Sequence, residues 1–113
     1  MKIFISMGFK DRSEDDILND LTDAIFQLAD LYDGTEIEIV HNYYCEKPEN
    51  GPRLYCLGEA IKKLSECDAC YFLEGWEQYK GCRVEMDVCV LYDIPVIFQE
   101  DNTPNSVPQT TYA

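Results

Sequence analysis

Lys2 to Ser6 alternates and is rich in β-branched and aromatic side chains, which predicts a first strand. Met7 to Arg12 breaks the pattern with Gly8, Lys10 and Arg12 and is expected to be a loop. Ser13 suits a helix N-cap, with Glu14, Asp15 and Asp16 filling the first turn. Ile17, Leu21, Ala24, Ile25, Leu28 and Leu31 or Tyr32 then recur at helical spacing until Asp33-Gly34 ends the helix. Thr35 to Val40 sets Ile37 and Ile39 against Glu36 and Glu38, the pattern of an edge or near-edge strand with one wet face. His41 to Arg53 is polar and contains Pro48, Asn50, Gly51 and Pro52, so it predicts a loop. Leu54, Leu57, Ile61 and Leu64 outline a second amphipathic helix with Lys62 and Lys63 turned outward. Asp68 to Leu73 is almost continuously apolar, as a central parallel strand is. A third helix is expected from Cys82 to Tyr92, and Val96 to Phe98 forms a short fourth strand after the Asp93-Ile94-Pro95 turn. Residues 100–113 are polar, carry Pro104 and Pro108, and are expected to be a tail outside a domain spanning residues 1–99.

Strands and helices alternating in this order imply a parallel sheet with right-handed crossovers and helices on both faces. Ligands bind such sheets at the carboxyl ends of the strands. That edge gathers residues 6–12, residues 41–44, residues 74–81 and the start of the third helix.

Composition narrows the range of functions. A chain of 113 residues implies one core. Its 22 acidic and 9 basic residues give a net charge of −13, which disfavours binding to a nucleic-acid polymer but leaves room for a small anionic nucleotide in a local N–H-lined pocket. No run spans a membrane, and no signal peptide is evident after Met1, so a cytoplasmic setting without membrane partners is expected. Cys67-Asp68-Ala69-Cys70 matches C-x-x-C, but no second such pair follows and His41 is the only histidine. All six cysteines are therefore expected to be free thiols, with no metal bound and no disulfides.

The stretch Gly75 to Glu85 joins the third strand to the third helix. Strand, glycine-bearing loop and helix is the geometry that exposes backbone N–H groups to a ligand. Glu85 falls early in the helix, on a face shared with Val88, Cys89 and Tyr92, while Arg83 and Asp87 lie opposite and are expected to pair. A carboxylate on an apolar face calls for a function; the other reading is a helix-start acid favoured by the macrodipole. Tyr43 and Tyr44 either line a pocket or cap the edge of the core. Arg12 either holds an anionic ligand group, together with the Ser6 to Gly8 backbone, or pairs with Asp15 or Asp16.

Several segments taken in order, Lys2 to Met7, Ser65 to Leu73, Gly75-Trp76, Gly81 to Glu85 and Tyr92 to Ile97, resemble the nucleoside 2-deoxyribosyltransferase superfamily. The likeness is closest to its short, uncharacterised branch in bacteria and phages and covers roughly residues 2–98. It implies an α/β fold: a single-domain Rossmann-like or flavodoxin-like three-layer sandwich with a four- to five-stranded parallel sheet. It also implies cleavage of the N-glycosidic bond of a nucleoside or nucleotide by a glutamate that attacks C1′ of the sugar. Glu85 aligns with that nucleophile, with Gly81 four residues before it, and Asp68 is the second candidate catalytic carboxylate. Ser6, Gly8, Lys10 and Arg12 match the loop that holds the sugar or its 5′-phosphate; Tyr43, Trp76, Tyr79, Gly81 and Arg83 complete the ligand-binding candidates. Six positions before the nucleophile the transferases place an acid, and the monophosphate-hydrolysing relatives a small hydroxyl residue; here Tyr79 occupies that position. No cofactor is implied. The superfamily's shared sites imply a homodimer or higher homo-oligomer, with Asn102, Asn105 and Ser106 as candidates to complete a neighbour's pocket. The alternative to an enzyme is a non-catalytic module that sequesters a nucleotide signal of the ADP-ribose type.

Overall fold

The computed structural model describes residues 1–102. Its elements run in the order β1 (Lys2–Ser6), α1 (Glu14–Leu31), β2 (Glu38–Val40), α2 (Tyr55–Ser65), β3 (Ala69–Phe72), α3 (Lys80–Leu91) and β4 (Val96–Phe98). Short 3-10 turns occupy Trp76–Gln78 and Gln99–Asn102. The sheet is parallel throughout, in the order β2-β1-β3-β4. It has four strands among the described residues, the lower of the two numbers expected.

Alternation along the strands divides the core in two. Ile3 and Ile5 of β1 pack with Ala69, Tyr71 and Ile97 against Ile17, Leu21, Ala24 and Leu28 of α1. Phe4 packs with Cys70, Phe72 and Val96 on the other face, against Ala60, Leu64, Met86 and Cys89 of α2 and α3. One helix on one face and two on the other is what right-handed crossovers require for this strand order. The result is a three-layer α/β sandwich of the Rossmann-like kind. No helix among the described residues is long and apolar enough to cross a membrane.

Local chemistry explains most boundaries. The Ser13 hydroxyl accepts from the Asp16 N–H at 3.1 Å, and the three acids of the first turn complement the helix dipole. Gly34 sits just beyond α1 at φ +84°, a conformation that side chains with a Cβ rarely adopt. β2 is shorter than its alternation predicts. Its ladder begins with Lys2 opposite Glu38, and by Glu36 the chain has passed the start of β1, where it meets only the Met1 amino group. α3 starts two residues earlier than expected, directly after the 3-10 turn.

Three residues assigned to apolar faces are exposed; Leu54 is one, because it is the N-cap before α2 and not part of its stripe. Ile25 lies about 100° around α1 from the buried Ala24, and Tyr92 is the C-cap, where the chain leaves α3. Lys63, expected to face outward, turns in and donates to Asn42 Oδ1 at 2.9 Å. Asn105, Ser106 and nearly all of the expected tail lie outside the described residues.

Candidate active site

The order β2-β1-β3-β4 reverses direction between β1 and β3, so the ligand crevice of such a sheet lies beyond the carboxyl ends of these two strands. Ser6 ends β1, in register with Phe72, the last residue of β3. It shares a strand face with Phe4 and therefore points toward α3. The buried stripe of α3 is Cys82, Glu85, Met86 and Cys89, at the i, i+3, i+4, i+7 spacing of one helix face. Glu85 thus meets Ser6: the hydroxyl donates to Glu85 Oε1 at 2.6 Å, and only 1% of Ser6 and 7% of Glu85 is exposed. Burial pushes the Glu85 carboxyl up to about 7, with the Ser6 hydrogen bond opposing the rise. Burial also pushes the Cys82 thiol up to about 11; the hydrogen bond with Ser6 lowers it and the charge of Glu85 raises it further.

Glu85 forms part of the wall of a cavity of about 400 Å³, with Ser6 hydrogen-bonded to it from behind. Lys80, Gly81 and Cys82, the first residues of α3, also line it. The helix has no side-chain cap, and its first N–H bond runs from Arg83 to Tyr79 O, so the N–H groups of these three residues have no acceptor in a preceding turn. Gly8 lines the same cavity beneath the Tyr79 ring, where an added Cβ would stand 2.1 Å from ring carbons. Lys10 and Asn42 complete the polar lining that matters here.

A larger cavity of about 960 Å³ adjoins the first and shares Met7, Gly8, Gln78 and Tyr79 with it. Glu85 is absent from its lining, and its acidic wall includes Asp20, Asp23 and Asp30. Glu85 therefore faces the smaller cavity and not the larger one. Tyr79, lying on Gly8, stands on the boundary between the two.

Ser6, Gly8, Lys10, Tyr79, Gly81 and Glu85 gather as the sequence suggests. Other candidates fall elsewhere. Arg12 lines the larger cavity, and its guanidinium pairs with Asp20, not with Asp15 or Asp16, while donating to Gly8 O at 3.0 Å and Asp16 O at 3.3 Å. Trp76 also lines the larger cavity; its ring meets Phe72 at 5.2 Å and Phe98 at 6.2 Å. Tyr43 stands one layer back, its ring 5.2 Å from Phe9, which lines the smaller cavity. Arg83 and Asp87 are exposed and do not pair, and Arg83 lines neither cavity.

Asp68 requires the plainest correction. It precedes β3 at the amino edge of the sheet, about 13 Å along the strands from Ser6. Its Oδ2 accepts from the Lys2 N–H at 2.7 Å, and its own N–H donates to Lys2 O at 2.8 Å. Asp68 ties down the start of β1 and is not part of the site. Asp68→Asn is expected to cost about 1 kcal/mol in urea unfolding and to leave ligand affinity at the Glu85 cavity unchanged. A measurable loss of affinity would return Asp68 to the site.

Lys80, Cys82 and Asn42 were missed as site residues. The i−3 spacing of Cys82 from Glu85 was the available signal for one of them. The strand order puts residues 41–44 at this edge, but singling out Asn42 depends on the loop after β2 folding toward α2, where Asn42 Nδ2 donates to Cys56 O at 2.8 Å.

A family model described as "Domain of unknown function (DUF4406)" matches residues 32–98. No curated protein and no solved structure matches the chain. The matched stretch is more than half of the chain and runs from β2 to β4 with Glu85 inside it, so the chain belongs to the DUF4406 family.

Proposed function

We propose that this chain cleaves the N-glycosidic bond of a nucleoside or nucleotide, with Glu85 as nucleophile at C1′ of the sugar. The observation that carries the reading is the buried Ser6–Glu85 hydrogen bond at the wall of a cavity beyond the carboxyl ends of β1 and β3. Ser6 occupies Oε1, which assigns the attack to Oε2. A bond forms from Oε2 to C1′ as the C1′–N bond breaks, and the bonding pair leaves with the base, which takes up a proton. Water, or a second base, then attacks C1′, returns Glu85 to its carboxylate and releases a proton. Lys10 and Lys80 supply positive charge for an anionic group of the ligand. Arg12 is a poorer choice because Asp20 already engages it.

A second reading keeps the cavity but not the reaction: the chain binds a nucleotide and leaves it intact. One observation favours it. Among the described residues lining the smaller cavity, Glu85 is the only carboxylate, so no second acid stands ready to protonate a departing base.

Wild type and Glu85→Gln, each incubated with deoxynucleosides, their 5′-monophosphates, NAD and ADP-ribose derivatives, separate the two readings. Base release by the wild type that disappears in Glu85→Gln is the expected result. Its rate should rise with pH through about 7 as the carboxylate forms. Tight binding with every ligand recovered intact would replace the enzyme with the sequestering module.

A further inference from the structure

We infer that Cys45 and Cys56 form a reversible disulfide that pins the loop after β2 to the start of α2, along one wall of the Glu85 cavity. The inference rests on the geometry of the two thiols and not on the proposed reaction. All six cysteines are free thiols in the structure, yet the Cys45 and Cys56 sulfurs lie only 2.6 Å apart, where a covalent S–S bond measures about 2.05 Å. Their backbones are already held together. Cys45 N–H donates to Asn42 O at 3.1 Å, Asn42 Nδ2 donates to Cys56 O at 2.8 Å, and Lys63 Nζ holds Asn42 Oδ1 at 2.9 Å. Asn42 and Cys56 both line the cavity, so a bond between the sulfurs fixes part of its wall.

The remaining thiols are poor competitors. Cys70 and Cys89 are hydrogen-bonded to each other, but both are sealed between the sheet and α3, at 0% and 1% exposure. Cys82 is buried beside Ser6. Cys67 donates to Lys63 O at 3.3 Å, while the other cysteine of the C-x-x-C, Cys70, is engaged with Cys89. Cys45 and Cys56 are half-buried, within reach of a small oxidant.

The two thiols have distinct parts in the exchange. Cys45 donates its hydrogen bond to the Cys56 sulfur, and that bond, with burial, pushes the Cys45 thiol up. Cys56 stands in the first turn of α2, with Cys45 as its neighbour across the loop. Cys56 as thiolate attacks one sulfur of a small disulfide such as oxidised glutathione and expels one glutathione thiolate. Cys45 then loses its proton and attacks Cys56 Sγ, expelling the second. The protein loses two electrons and two protons, and the oxidant becomes two thiols.

The full chain equilibrated in glutathione buffers of increasing oxidised fraction, then denatured and titrated with a thiol reagent, tests this. Reactive thiols are expected to fall from six to about four and to return with reductant. Peptide mapping should find the Cys45–Cys56 link, and the oxidised chain should melt roughly 10 °C higher because the unfolded loop is closed. Cys45→Ser should stop at a glutathione adduct on Cys56. Six reactive thiols under oxidising conditions, or a link mapped to any other pair, would overturn the inference.

Discussion

At pH 8 Glu85→Gln is expected to unfold with about 3 kcal/mol more free energy than the wild type, and near pH 4 the two are expected to converge. The reason is the burial of the carboxyl, which lifts it from an ordinary 4.5 to about 7 in the folded chain. Below pH 4.5 the group is protonated in both folded and unfolded chains and costs nothing. Between 4.5 and 7 the unfolded chain has released this proton while the folded chain still holds it, so the folded state binds more protons and stability falls as pH rises. Above 7 both are ionised and the loss is complete, at about 1.4 kcal/mol for each pH unit of that window. Glutamine keeps the shape and an acceptor for Ser6 but never ionises. Urea unfolding of both proteins across this range is the measurement. A constant difference at all pH values would show that the carboxyl does not titrate as its burial requires. Ser6→Ala should move the titration higher still, because the hydrogen bond it removes favours the ionised form.

Gly8→Ala is expected to cost about 1–3 kcal/mol, a large effect for one methyl group in a loop. The backbone conformation is not the cause, since Gly8 is not among the residues with positive φ. The cause is the Tyr79 ring, whose carbons would lie 2.1 Å from the new Cβ, well inside contact distance. These carbons are at the near edge of the ring, so rotating its far end does not relieve the clash; Tyr79 or the loop must move. Because Tyr79 stands between the cavities of about 400 and 960 Å³, the displacement also joins them. Adding Tyr79→Ala to Gly8→Ala should recover much of the lost stability, an interaction that a double-mutant cycle reads directly. Strict additivity of the two losses would place the cost in the Gly8 backbone instead.

These two cases show what was legible in the sequence. The alternation of Ile3 and Ile5 against Phe4 and Ser6 was visible, as was the helical stripe around Glu85, because both periods are local properties of the chain. They were enough to bring the carboxyl ends of the strands, the glycine loop and α3 to one edge. Contacts set by tertiary closure were not visible. Tyr79 on Gly8 joins residues from different loops, and Arg12 reaches past the nearer acids to Asp20 two turns into α1. Asp68 misled because its acidic character and its place beside a strand were local, whereas the end of the sheet at which it works was not. The paired sulfurs of Cys45 and Cys56 were hidden behind the more conspicuous C-x-x-C for the same reason.

The middle position of β1 bears on what constitutes a foldable piece of this chain. The stretch that the DUF4406 model matches begins at residue 32, after β1 and α1 have passed. In the sheet β2 touches only β1, and β3 touches β1 on one side and β4 on the other. Excised by itself, the family segment would leave β2 with no neighbour and one side of β3 unpaired, and Glu85 would lose the hydroxyl that lies 79 positions upstream. The unit that folds and carries the site therefore includes the first strand, which lies outside the matched stretch.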